Sequence, residues 1–220
     1  MYAVGRLVLI DAVAAAVALA VWYLCFCRFN RRKGAKALRS VEAACDGRAQ
    51  VVETDWFSSS QVQAKLRFSA HWFENARVTV RLLPRPLPAR WLFSLWRRER
   101  ETITFEADLD YAPAFRLDVL RHCWLSHNKK RIVSGSRDWT IVHPGPVVLT
   151  TRTQWTRELP PVVSTLMTSR GHSLLSVRFR PQSPHLAATV ALEALSDADA
   201  ASGFLNVVRD LAAGASTSRQ

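Results

Sequence analysis

Glycine is scarce, with eight residues in a chain of 220. None of the eight falls in GxGxxG or GxxxxGK[ST], so no Gly-rich loop is available to cradle a phosphate. GxSxG is missing too: Gly135 in VSGSRDW is merely flanked by serines, which rules out a nucleophile elbow. Cysteine is limited to Cys25, Cys27, Cys45 and Cys123. Four residues at irregular spacing do not make an extracellular disulfide framework at this length and fit thiols in a reducing compartment. No repeat of fixed period and no long linker interrupts the chain. Acidic residues are in the minority, 18 Asp+Glu against 30 Lys+Arg, for a formal charge of +12. That balance suits anionic partners, namely phospholipid head groups, nucleic acid or an acidic protein. Disorder is excluded by 49% hydrophobic and 22% charged residues, the proportions of a chain that folds.

What is present begins with an apolar run. Residues 7–27, LVLIDAVAAAVALAVWYLCFC, carry a single charge, Asp11. About 20 such residues in a helix cross a bilayer core, so Leu7 to Cys27 are expected to span a membrane. Trp22 and Tyr23 lie toward one end, where aromatic rings favour the head-group layer. Arg28, Arg31, Arg32, Lys33, Lys36 and Arg39 follow at once, whereas only Arg6 and the amino terminus precede the run. The positive-inside rule then puts the N-terminus outside and the body in the cytoplasm of an inner or plasma membrane. Ala18-Leu19-Ala20 has the small-x-small form of a signal-peptidase site. Cleavage there would leave VWYLCFC at the new N-terminus, and the charge order is the reverse of a signal peptide's. Asp11 sits about a turn inside the outer end and either reaches the interface or pairs with another membrane subunit. Cys25 and Cys27 stand where acylation is feasible.

The chain therefore divides into an anchor with a basic stop-transfer segment (1–39), a cytoplasmic domain (40–214) and a disordered tail (215–220). Removing the anchor's charges leaves 23 Lys+Arg against 17 Asp+Glu, a balance of about +6 for the body. Half the excess thus has a topological explanation, which lowers the case for nucleic acid as a partner. The anchor helix is expected to run on through KALRSVEAACDG to Gly47. VQAKLRFSA (62–70) and ARVTVRLLP (76–84) alternate and predict a hairpin, as does 138–155 around Pro144-Gly145. ETITFEADL (101–109) alternates strongly. LPPVVSTLMTSRG (159–171) reads as a helix. SLLSVRFRP and HLAATVALEAL read as strands, and SDADAASGFLNVVRDLAAG as a capped C-terminal helix ending at Gly214. The fold class is α+β: one transmembrane helix, then a mostly antiparallel sheet of about seven strands and a C-terminal helix. The order IVSGSRDWTIV (132–142), VVLTTRTQW (147–155) and final helix resembles uncharacterised bacterial membrane-anchored proteins carrying a small cytoplasmic α+β domain. The resemblance spans about the last 100 residues and implies an architecture only, with no activity and no functional residue.

Chemistry-bearing clusters are thin. His122, Cys123 and His127 are too few for a zinc site without a second cluster. Cys123 and His127 would share a face if that stretch is helical, but His122, beside Cys123 in sequence, would not face it, and a nucleophilic cysteine is not the expected reading. Asp108 and Asp110 share a strand face but find no further carboxylate, and a solvated strand edge is the simpler reading. His185 reads as a satisfied structural histidine. HNKKR (127–131) with Arg137 is a basic loop without the paired aromatic strand motifs of RNA binders. No cofactor, metal or catalytic residue is implied.

One stretch stands apart, PRPLPARWLFSLWRRER (84–100). On a helix Trp91, Leu92, Leu95 and Trp96 share an apolar face flanked by Arg90, Arg97, Arg98 and Arg100. Trp with Arg on a short amphipathic helix is the composition of an interfacial segment. The same rings would equally serve as core with arginines snorkelling outward, or as a protein contact. Core packing is the first expectation, and membrane lipid and a protein partner are the others. The expected function is a membrane-anchored cytoplasmic domain that binds a protein partner or organises a membrane complex. A membrane-associated enzyme acting on a lipid or cell-envelope substrate is the alternative, and a nucleic-acid module the third.

Overall fold

In the computed structural model, residues 2–45, 47–69, 73–113, 115–121, 139–142, 147–152, 174–195 and 198–217 are described. The apolar run does not stop where its charges begin. Helix α1 spans Tyr2–Ala44 without a break, about 65 Å at 1.5 Å per residue. Among the described residues it is the one helix long and apolar enough to cross a membrane. From Leu9 to Val21 every side chain is exposed. The C-terminal part, expected to run on through KALRSVEAACDG to Gly47, continues as far as Ala44 and is built into the body through Ala37, Leu38, Val41 and Ala44. Gly47, at φ +73, turns the chain away beyond the end, in the left-handed region that glycine enters without steric cost.

Nine strands form one sheet among the described residues: β1 (Ala49–Ser58), β2 (Gln61–Phe68), β3 (Phe73–Arg81), β4 (Thr102–Leu109), β5 (Leu117–Arg121), β6 (Trp139–Val142), β7 (Val147–Arg152), β8 (Leu174–Phe179) and β9 (Leu186–Ala191). Their order is β1-β2-β3-β4-β9-β8-β5-β7-β6, and every pairing is antiparallel. Between β3 and β4 lies α2 (Pro88–Trp96). A 3₁₀ turn (Leu192–Leu195) leads from β9 toward α3 (Ala198–Thr217). The α+β class, the antiparallel sheet and the C-terminal helix are as the sequence predicts. The hairpin of 138–155 appears as β6 and β7, paired Trp139 to Arg152. The predicted helix at 159–171 and the His122–Arg137 stretch lie outside the described residues.

Strict alternation places one face of the sheet inward. In β4, Ile103, Phe105, Ala107 and Leu109 are buried, and the residues between them reach the other side. Register then stacks inward residues into rows. Ala64, Val78, Phe105, Ala188, Val177 and Val119 stand abreast across six strands. Phe105 occupies the middle of that row, with Phe68 and Phe73 edge-on at 6.2 and 5.4 Å. The C-terminal half of α1, together with α3, covers this face: Ala201, Phe204, Val208 and Leu211 of α3 join the same core.

Gly34 permits α1 to approach closely. A Cβ there would lie 2.8 Å from the Trp56 ring and 3.2 Å from Val62. At the far end α3 passes Gly214 and runs to Thr217, with Ala215 buried. Ala215 is thus part of the core rather than of a tail, because a glycine permits a helix to end without requiring it.

Candidate functional site

Along α1 one face carries Trp22, Phe26, Asn30, Gly34, Leu38 and Val41, three or four residues apart and therefore in line. The line passes through three environments. Leu38 and Val41 belong to the core, Asn30 to a polar cluster, and Trp22 with Phe26 to an aromatic joint with α2.

Asn30 centres the polar cluster and is 0% exposed. Its Nδ2 donates to the Ser59 carbonyl at 3.0 Å and to the Leu83 carbonyl at 3.1 Å. Its Oδ1 accepts from Arg85 Nη1 at 3.3 Å. All three groups lie on connections, after β1 and after β3, so one amide joins α1 to two loops. Glu101, just ahead of β4, completes the arrangement. Arg85 Nη1 lies 2.6 Å from Oε1 and Lys33 Nζ 2.5 Å from Oε2, while the Leu83 N–H donates to Oε1 at 3.3 Å. The Glu101 side chain is 7% exposed, Arg85 16% and Lys33 36%. A buried carboxylate is tolerated where cations and donors satisfy its oxygens.

Burial by itself would raise the Glu101 carboxyl. The hydrogen bond from Lys33, the charge of Arg85 and the Leu83 N–H outweigh it, and the net displacement is downward from 4.5. A carboxyl lowered in the folded state adds stability that is complete above its unfolded value and is lost as pH falls through its folded one. The melting temperature is therefore expected to drop as pH falls below about 4.5. In Glu101→Gln this acid-dependent drop should be shallower; equal slopes for the two proteins would show that Glu101 does not carry it.

At the aromatic joint, Trp91 of α2 meets Trp22 at 5.9 Å and Phe26 at 6.1 Å between ring centroids. The Trp22 indole N–H donates to the Arg85 carbonyl at 3.1 Å. Proline supports the local fold, since Pro88 opens α2 where a missing N–H costs nothing. Helix α2 touches the body through Trp91 and the buried Ser94, and the Glu99 N–H donates back to the Ser94 carbonyl at 2.9 Å. The rest of its apolar surface is open. Trp96 is 81% exposed and Leu92 68%, with Phe93, Leu95 and Leu87 exposed as well. The expectation that these rings fill the core is therefore corrected: the sheet face is already covered by α1 and α3. Phe93 and Trp96 contact each other at 5.9 Å, and the Arg97 guanidinium lies over Phe93 at 4.3 Å. Arg90, Arg98 and Arg100 are exposed around them.

The remaining anticipated residues fall as follows. Leu7 and Asp11 are on the projecting half of α1, with Asp11 exposed. Tyr23 is exposed, and Cys25 and Cys27 carry free thiols. Arg28, Arg31, Arg32 and Lys36 are on the same helix outside the polar cluster, whereas Lys33 turns inward to Glu101. Elsewhere, His185 Nδ1 accepts the Leu109 N–H at 3.1 Å, the structural role expected of it. Asp108 accepts from Asn75 at 3.1 Å. Burial opposes its ionised form, yet hydrogen bonds from Ser183 and Asn75 and the nearby His185 bring the carboxyl below the usual range. Among the described residues no group of three His, Cys, Asp or Glu is placed to hold a metal ion.

The polar cluster escapes sequence reasoning because Asn30 and Lys33 lie more than 50 residues from Arg85 and Glu101. The usable signal is Trp22, Phe26, Asn30, Gly34 and Leu38 at intervals of four, a continuous face running from the apolar half of α1 into the part buried against the sheet.

No protein-family model matches the sequence, and no curated protein matches it. Among solved structures, the mycobacterial trehalose monomycolate transport factor A, TtfA, superposes with a TM-score of 0.44 at 10% identity, over 81% of this chain and 93% of that one.

Proposed function

We propose that the chain is a single-pass membrane protein whose α+β body lies on the cytoplasmic face and holds a protein partner there, organising a membrane complex without chemistry of its own. The observation that carries this reading is the path of α1. Its apolar half leaves the body with its side chains uncovered from Leu9 to Val21, and its basic half is fastened to the connections beside the sheet through Asn30 and Lys33. A domain joined to its anchor without a linker keeps a set distance and attitude to the bilayer, which suits a binding platform. The cluster of arginines and lysines from Arg28 to Arg39 supports the cytoplasmic placement of the body.

Purification of the full-length chain in mild detergent is expected to bring down a membrane protein in constant ratio, retained through salt washes and absent from a control carrying α1 alone. Recovery of the chain by itself, monodisperse and without a companion, would overturn the partner reading. Labelling of a C-terminal tag by an impermeant reagent in intact cells would overturn the orientation.

A further inference from the structure

We propose that α2 is a lipid-binding element, an in-plane interfacial helix that seats the body on an anionic phospholipid surface beside α1. This rests on the reading of α1 as membrane-spanning. Three observations favour lipid as the occupant. The first is continuity: Trp91 packs on Trp22 and Phe26, so the exposed surface of α2 extends the uncovered apolar surface of α1. The second is depth. Trp22 precedes Arg28, the first charge after the apolar run, by six residues, or about 9 Å along the helix axis. Interfacial helices bury their apolar face about 5–10 Å into the boundary between head groups and acyl chains, so the joint places α2 at the level such helices occupy.

The third is charge. Residues 88–100 hold Arg90, Arg97, Arg98 and Arg100 against Glu99 alone, and these cations border Leu92, Phe93, Leu95 and Trp96, which are all exposed. Apolar rings for the acyl boundary with guanidinium groups for phosphate form the two halves of an interfacial contact. The joint also presents no bare donor to lipid, because the Trp22 N–H is already bonded to the Arg85 carbonyl. Tethering by α1 keeps α2 at the surface, so even a weak contact is populated.

The test uses the full chain in nanodiscs of phosphatidylcholine with phosphatidylglycerol, and in discs of phosphatidylcholine alone, each prepared with lipids brominated near either end of the acyl chain. The difference in emission between the native chain and Trp96→Phe isolates Trp96. That component should lose most of its intensity to bromines near the head groups and little to bromines at the chain ends. The loss should be larger in the anionic discs, and Arg97→Gln with Arg98→Gln should reduce it to the level of the neutral discs. An alkaline carbonate wash separates the two readings. Retention of the chain with Trp96 unquenched overturns the lipid contact while the anchor stands, and leaves α2 to a protein partner. Equal quenching in both discs overturns the anionic preference. Release of the chain by the wash overturns the anchor and with it the depth argument.

Discussion

Glu101→Ala is expected to destabilise the protein by roughly 3 kcal/mol, the lower part of the range for breaking a buried ion pair. The loss comes less from the missing attraction than from what is left behind. Arg85, 16% exposed, keeps its charge without a carboxylate, and the Leu83 N–H loses its acceptor. Lys33 is better placed, since its half-open side chain can turn to water, and this keeps the loss below the upper end of the range. For a protein of this size the melting temperature in detergent should fall on the order of 10 °C. Glu101→Gln should lie between the native chain and Glu101→Ala, because an amide oxygen still accepts from Leu83 but offers no charge to Arg85. A double-mutant cycle with Arg85→Ala should be strongly non-additive, since removing both partners leaves no buried charge unmatched. Additive losses would show that the pair is not coupled. The Trp22–Trp91 joint should loosen in Glu101→Ala, because the Arg85 segment that loses its carboxylate also supplies the backbone carbonyl that accepts from the Trp22 indole.

Phe105→Ala should cost about 3–5 kcal/mol, the usual range for truncating a buried phenylalanine to alanine. Its ring is fully buried in the middle of the sheet and touches Phe68 and Phe73 edge-on. Three rings that support one another on neighbouring strands cannot close over the gap without shifting register. Phe105→Leu should cost much less, and chemical denaturation in detergent would separate the two. A Phe105→Ala protein as stable as the native one would mean that the sheet face has more freedom than its packing allows.

These two sites were unequally legible. The alternation in 101–109 is enough to mark Phe105 as an inward residue, because period-two patterning is a property of the strand itself. Glu101, four residues earlier, looks like one more polar residue at a strand end; its importance comes from Lys33 and Arg85, brought in from α1 and from the loop after β3. Strand β1 gave no periodic signal, since it lies at the sheet edge with irregular register at Val51/Glu53 and Trp56/Ser58, and such breaks scramble alternation. Strand β5 is five residues long, too short for a period to show. The helix at 88–96 was readable as amphipathic, but periodicity reports only that one face is apolar. Whether that face is covered depends on what else reaches it, and α1 and α3 had already taken the available surface of the sheet.

Because α1 is a single unbroken helix, its two ends share one torsional phase. The face that presents Trp22 and Phe26 also presents Asn30 and Leu38, so the azimuth of the apolar half and the azimuth of the sheet are one coordinate. A rotation of the apolar half about its axis becomes the same rotation of the body, with no joint between them to absorb the torque.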